Sequence, residues 1–212
     1  MNTIIARAHY TYVVQQEPLG LGHAVLLAEE FIEPDIFFSV MLPDNIIEND
    51  DFLMAELIAL AQKYNATIIA IEEVAPEEAP SYAIITPKEF LTDNVLEISE
   101  IVEKPNGEQI KSCLASIGRY VFTTDIFEAL KHTDFGVGGE IHLTDAIAYM
   151  IKQGKRVFAY KLQGKRHDIG TNRGFLKTTV SLALRDPLYR DMLLEIFEQD
   201  ANNSKDSQTK DV

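Results

Sequence analysis

Cysteine is almost absent from this sequence: Cys113 stands alone among 212 residues. One thiol cannot close an internal disulfide, and such sparing use fits a reducing compartment, so a soluble, cytoplasmic protein is expected. Basic residues are also scarce, 19 against 33 acidic ones, for a formal net charge of −14. That balance argues against nucleic acid or an anionic membrane as the main partner, while a small anionic ligand would respond to local cations rather than to the total. No apolar run approaches the roughly 20 residues that span a bilayer. The opening MNTIIARAHYTYVV lacks the ordered charged, apolar and small-residue regions of a secretion signal. A Walker A loop, a complete G-x-G-x-x-G and a G-x-S-x-G elbow are missing as well. His23, His132 and His142 show no ligand spacing with one another or with Cys113, which argues against zinc.

What is present is enough to build one sizeable core: 46 % of the residues are hydrophobic. Residues 10–16 (YTYVVQQ) read as a strand, and helical character follows over 24–31. Residues 37–42 (FFSVML) have the pattern of a strand buried on both faces. Residues 51–65 carry Phe52, Leu53, Leu57, Leu60 and Ala61 on one stripe, a helix with Asp50 or Asp51 as its cap. Another buried strand is expected over 67–71, short strands around a turn at Pro87 within 81–101, and strands over 117–122 and 156–162. Helices are expected over 124–131, 141–152, 171–185 and 188–198. Strands alternating with helices predict an α/β domain over residues 1–199 with a mixed, mostly parallel sheet. Residues 200–212 (DANNSKDSQTKDV) have almost nothing to bury and are expected to be disordered.

In such sheets, ligands collect outside the carboxyl ends of the strands, so polar residues there are the candidates. Asp44 follows an apolar run beside Pro43. It is either an Asx-turn residue stopping a strand or a hard oxygen donor for Mg²⁺. Asp168, before Ile169-Gly170, offers the same two readings. Glu103-Lys104-Pro105 is either an exposed charged turn or a site in which Lys104 neutralises a phosphate and Glu103 accepts hydrogen bonds from hydroxyls. The segment EPLGLGHAV sets two glycines around one leucine at a helix start, which predicts that the backbone there comes close to something a Cβ would block.

Individually weak, these signals have an informative order. QQEPLGLGHAV, LPDNII, VEKP, IGRYVF, GGEIHLTDAI and GKRHDIG succeed one another in a way that resembles the bacterial UTP–glucose-1-phosphate uridylyltransferases, over about residues 10–185. PLGLGHAV is similar to the uridylyl branch rather than to thymidylyl or adenylyl relatives. The resemblance implies a three-layer α/β/α, Rossmann-like, nucleotide-diphospho-sugar transferase fold. It implies Mg²⁺-dependent transfer of a uridylyl group from UTP to glucose 1-phosphate, giving UDP-glucose and pyrophosphate without a covalent enzyme intermediate. It further implies that Gln15 reads the base edge and Gly20 permits its close approach. Asp44 and Asp168 would hold the metal, Glu103 would contact glucose hydroxyls, Lys104 would pair with the sugar-linked phosphate and Gly118 would line the sugar pocket. Gly139-Glu140 and Leu143-Thr144-Asp145 are equally family-like and are read mainly as helix-start and packing residues. A homo-oligomer is expected.

The chain departs from the pattern in four places. The family's G-x-G-T-R-type loop has no counterpart in MNTIIARAHYTYVV; Tyr82-Ala83 stands for a Tyr-Gly, Asn172 for a lysine and Val14 for an arginine. The expectation is therefore an amino-terminally truncated domain with impaired transfer. The alternative reading is a non-catalytic sugar-nucleotide-binding remnant or one subunit of a split enzyme.

Overall fold

Among residues 8–208, which the computed structural model describes, the strand with the most continuous apolar run becomes the most enclosed. β3 (Thr67–Glu73) is buried from Thr67 through Ile71. It lies in a six-stranded sheet with β1 (Phe37–Met41), β4 (Ala83–Phe90), β5 (Val95–Glu103), β6 (Leu114–Thr123) and β7 (Val157–Lys161), in the order β1-β6-β3-β7-β5-β4, and β4 also touches β6. Period-two alternation divides the central strands. Ile69, Ile71, Tyr120, Phe122, Val157 and Ala159 join one cluster with Val25 of α1 (Leu21–Leu26) and the apolar stripes of α3 (Asp125–Lys131) and α4 (Leu143–Lys152). Their neighbours Ile68, Ala70, Val121 and Phe158 are buried too but lie outside that cluster. α2 (Leu53–Tyr64) packs against β3 and β6, burying Leu53, Leu57 and Ala61, and Tyr64 stacks on Phe158 at 4.5 Å. Helices thus cover both faces, the three-layer arrangement that the family resemblance implies.

The sheet is mixed, but among the described residues only β3–β7 is parallel; the other ladders are antiparallel, where a mostly parallel sheet is expected. No α-helix intervenes between β3 and β6, so successive strands reverse direction instead of crossing over. Where short strands are expected over 81–101, Ala83–Phe90 and Val95–Glu103 form one long hairpin. Pro87 sits inside β4 at a register shift, where a missing N–H is tolerated, and the turn falls at 91–94. β1 is an edge strand and only half-buried, because β6 is its single neighbour among the described residues. Residues 10–16 form no strand: no described residue pairs with them in a ladder, and Tyr12 and Val14 are 89 % and 71 % exposed. Neither expected aspartate caps α2; the Asp50 carboxylate instead accepts from the Gln163 amide at 3.3 Å.

The chain divides into two compact units, Met1–Leu42 with Asp50–Gln163, and Pro43–Asn49 with Gly164–Val212, where the sequence is read as one domain. In the second unit β2 (Asn45–Glu48) pairs antiparallel with β8 (Lys165–Asp168), followed by α5 (Asn172–Ala183) and α6 (Pro187–Gln208). The α6 backbone stays helical past Asp200, where disorder is expected; residues 209–212 lie outside the described residues. No helix among the described residues is long and apolar enough to cross a membrane.

One buried carboxylate braces the sheet. Glu97 on β5 is 6 % exposed, accepting from Arg156 at 2.7 Å and Lys88 at 2.8 Å, and Arg156 also lies over the Phe158 ring. The hydrogen bond from Arg156, then that from Lys88, hold its carboxyl below the ordinary value of 4.5. A depressed folded-state value means a stabilising contribution present above 4.5 and lost as the pH falls through the lower folded value. Urea unfolding should therefore find Glu97→Gln less stable than the parent at pH 7, with the gap closing below pH 4.5. A gap independent of pH would contradict the pairing.

Candidate active site

The two glycines of EPLGLGHAV are explained inside the chain. Gly20 has φ +100°, a region that disfavours a side chain, and a Cβ there would stand 2.8 Å from Glu140 Cβ and 2.9 Å from the Ile141 oxygen. A Cβ on Gly22 would meet the same oxygen at 2.6 Å. Both glycines let the segment dock backbone to backbone on residues 140–141. The Gly22 amide donates to the Ile141 carbonyl at 2.8 Å, and the Ile141 amide donates to the Leu19 carbonyl at 2.7 Å. Gln15 closes over this turn, its Nε2 donating to the Gly20 carbonyl at 3.0 Å and meeting His23 Nδ1 at 2.9 Å.

In the same unit, Glu103 ends β5 beside Ala83 of β4. Its Oε2 accepts from the buried Thr144 hydroxyl, in the first turn of α4, at 2.7 Å. One carboxylate oxygen is thus fixed. Lys104 follows in a left-handed conformation, φ +41°, its amide tied to the Tyr82 carbonyl at 3.0 Å and its side chain exposed. A non-glycine residue held there stores strain of order 1 kcal/mol and turns the side chain away from the strand's alternation. Its ammonium forms no ion pair with a described residue, unlike Lys131, which is bound to Glu29 at 2.7 Å. Gly118 lies buried within β6 at φ +72°, where a Cβ would stand 3.0 Å from Leu42; its carbonyl accepts from the Leu42 amide at 2.9 Å.

In the second unit the β2–β8 register sets Asn45 opposite Asp168 and so brings Asp44 to Asp168. Asp44 Oδ2 and Asp168 Oδ1 lie 3.0 and 3.3 Å from the point where a Cβ on Gly170 would stand, so both carboxylates face one hollow that glycine leaves open. Asp168 also makes the turn expected of it, Oδ1 accepting from the Gly170 amide at 2.9 Å, while Oδ2 pairs with Arg166 at 3.1 Å. Asp44 makes no Asx turn: Oδ1 accepts from Asn45 Nδ2 at 2.7 Å, and Oδ2 accepts no hydrogen bond from a described residue. Arg166, whose side chain is 7 % exposed, spans Asp168 and the Asn45 oxygen at 3.0 Å, making the two strands one polar unit. Behind it, His167 bonds Glu48 at 2.6 Å and Arg185 grips the same carboxylate at 2.5 and 2.7 Å; the His167 bond first, then those from Arg185, hold that carboxyl below its ordinary range. No group of three or more histidine, cysteine or carboxylate side chains is placed to hold a metal among the described residues.

The sequence reading passes over several of these supports. Thr144 is counted as packing although it fixes Glu103, and His23, Asn45 and Arg166 carry no role. A polar residue at the buried start of an apolar helix was the available signal for Thr144; Asn45 and Arg166 gave none before the β2–β8 pairing was known.

Comparison with known proteins now defines the class. The chain belongs to the nucleotidyl transferase family, whose model matches residues 3–184. Within it, the chain is 40 % identical over 194 residues to UTP–glucose-1-phosphate uridylyltransferase 2 of Staphylococcus saprophyticus, covering 91 % of this chain and 65 % of that protein. It is 41 % identical over 191 residues to the UTP–glucose-1-phosphate uridylyltransferase of Bacillus subtilis, covering 88 % and 63 %. The chain therefore spans just under two thirds of the length of these relatives. A solved UDP-glucose pyrophosphorylase complexed with UDP-glucose superposes with a TM-score of 0.82 at 40 % identity, over 87 % of this chain and 70 % of that one. The UTP-bound UGPase from Acinetobacter baumannii gives 0.73 at 32 % identity, over 87 % and 64 %.

The docking of the glycine segment predicts that Gly22→Ala destabilises the protein by about 1–3 kcal/mol, the cost of forcing an added carbon against fixed backbone. Gly107→Ala, with open space around its Cβ position but φ +47°, should cost only the strain of the left-handed region, about 1 kcal/mol. Equal, small losses in thermal or urea unfolding would contradict the close approach to Ile141.

Proposed function

We propose that this chain acts in uridylyl transfer between UTP and glucose 1-phosphate, forming UDP-glucose and pyrophosphate. The observation that carries this reading is the convergence of Asp44 and Asp168 on the Gly170 hollow. Two hard oxygen donors suit Mg²⁺, which commonly takes one or two carboxylates and completes its shell with water and substrate phosphate oxygens. Asp44 Oδ2 and Asp168 Oδ1 would hold it; when bound, it would neutralise phosphate charge and orient the reacting oxygens. Arg166 keeps the Asp168 carboxylate aimed, and Asn45 does the same for Asp44.

The other residues take roles that match their settings. Gln15 offers its amide to the base edge above the Gly20 turn. Glu103, with one oxygen fixed by Thr144, offers the other to a sugar hydroxyl. Lys104 brings an ammonium that pairs with no described residue to the sugar-linked phosphate, and Gly118 is assigned to line the sugar pocket, although its own Cβ position is crowded by Leu42. The bond that forms joins a phosphate oxygen of glucose 1-phosphate to the α-phosphorus of UTP; the bond that breaks releases pyrophosphate. The chain's part in such a transfer is alignment and charge neutralisation rather than covalent chemistry. From its single thiol, we assign the protein to the cytoplasm.

Calorimetric titration of UTP tests the metal: binding should weaken at least about tenfold when EDTA replaces Mg²⁺, and Asp44→Asn or Asp168→Asn should abolish that difference. Metal dependence unchanged in both variants would remove the assignment. Lys104→Ala should weaken UDP-glucose binding about tenfold or more, the worth of a charge-assisted phosphate contact, and Lys131→Ala should leave it unaltered. Coincident titration curves for the two lysine variants would return Lys104 to a solvated turn.

A further inference from the structure

The Gln15 side chain is held in one orientation, and the residue that completes the hold has no assigned role. A glutamine amide can present either its NH₂ or its oxygen to a partner, and the two ends are nearly isosteric. Here the choice is made by the Gly20 carbonyl, which can only accept, so Nε2 must face it at 3.0 Å. The second N–H of the same nitrogen is directed at His23 Nδ1, 2.9 Å away. That contact is a hydrogen bond only if Nδ1 carries the lone pair and the ring proton sits on Nε2. Both donors of the amide are then spent within the protein. The Gln15 oxygen accepts from no described residue, and no buried side-chain polar atom among the described residues is without a partner, so this oxygen is open to solvent.

We propose that His23 is a specificity-determining residue: with the Gly20 carbonyl it locks the Gln15 amide so that only an acceptor faces outward, selecting a nucleobase edge that donates a ring N–H. Uracil, with N3–H, satisfies that oxygen. Cytosine sets the N3 lone pair against it, and reversing the amide to suit cytosine would break the bond to Gly20, turn an oxygen against that carbonyl, and force the His23 proton from Nε2 to Nδ1. His23 acts through Gln15 and touches no ligand itself. Its place on α1 is fixed by the flanking docking of Gly22 on Ile141, so the lock is built into the packing.

The inference rests on the reading of Gln15 as the base-facing residue, and the test separates the two. UDP-glucose and CDP-glucose are titrated by calorimetry, with Mg²⁺, into the parent chain and into His23→Leu and His23→Asn. Asparagine can return an acceptor oxygen close to the place of Nδ1, whereas leucine cannot. The parent should prefer UDP-glucose by about tenfold or more. His23→Leu should narrow the preference severalfold, chiefly by binding CDP-glucose better, and His23→Asn should keep it near the parent value. A purely structural role for His23 would weaken both nucleotides in proportion and leave the ratio alone; an unchanged ratio in His23→Leu overturns the inference while the functional reading stands. Failure of the parent chain to bind UDP-glucose at all overturns that reading, and the inference with it.

Discussion

Two backbone hydrogen bonds between the glycine segment and Ile141 organise the first unit's candidate site. They require chain-to-chain approach closer than any Cβ allows, which is why Gly20 and Gly22 flank Leu21. Once residues 140–141 are fixed by this contact, α4 starts two residues later, and its first turn delivers Thr144 to Glu103. The same turn shapes Gly20 so that its carbonyl meets Gln15. A single packing constraint thus sets the position of the Gln15 and Glu103 side chains. Neither depends on a loop free to wander.

The second unit solves a different problem. Two carboxylates near one another repel, and their proximity must be stabilised by something other than a ligand. Arg166 supplies the compensating charge from a nearly buried position, and Asn45 shares the load by bonding Asp44 while accepting from Arg166. The His167–Glu48–Arg185 cluster anchors the other end of the β2–β8 ladder. Strain is placed where chemistry is expected: Lys104 is one of four described non-glycine residues with positive φ, the others being Asp35, Asn49 and Asn65. Asparagine and aspartate visit that region readily, lysine does not, so Lys104 is the case that needs a reason.

Much of the fold was legible. The strands β3, β6 and β7 and the helices α2, α3 and α4 stand close to where periodicity sets them, because buried apolar stripes determine both pattern and packing. Strand direction was not legible, since a run buried on both faces reads the same in parallel and antiparallel sheets. Residues 10–16 have strand composition but no ladder partner among the described residues, and composition cannot create a ladder. At the candidate site, the order of short motifs pointed to the family that comparison shows. The meeting of Asp44 with Asp168 could not be read from residues so far apart in sequence; it needed the register of β2 with β8. The glycines were rightly read as making room, but what fills that room is the chain's own Glu140–Ile141, from the very GGEI stretch read as packing.

Much of the proposed chemistry turns on whether Asp44 and Asp168 share one divalent cation that carries nucleotide phosphate. The most direct measurement is an anomalous difference map from crystals of this chain grown with Mn²⁺ and UTP. A shared cation gives one strong peak at the Gly170 hollow, about 2.0–2.4 Å from an oxygen of each aspartate and in contact with phosphate oxygen. Bound nucleotide with the manganese elsewhere, or with no peak at the two aspartates, would contradict it.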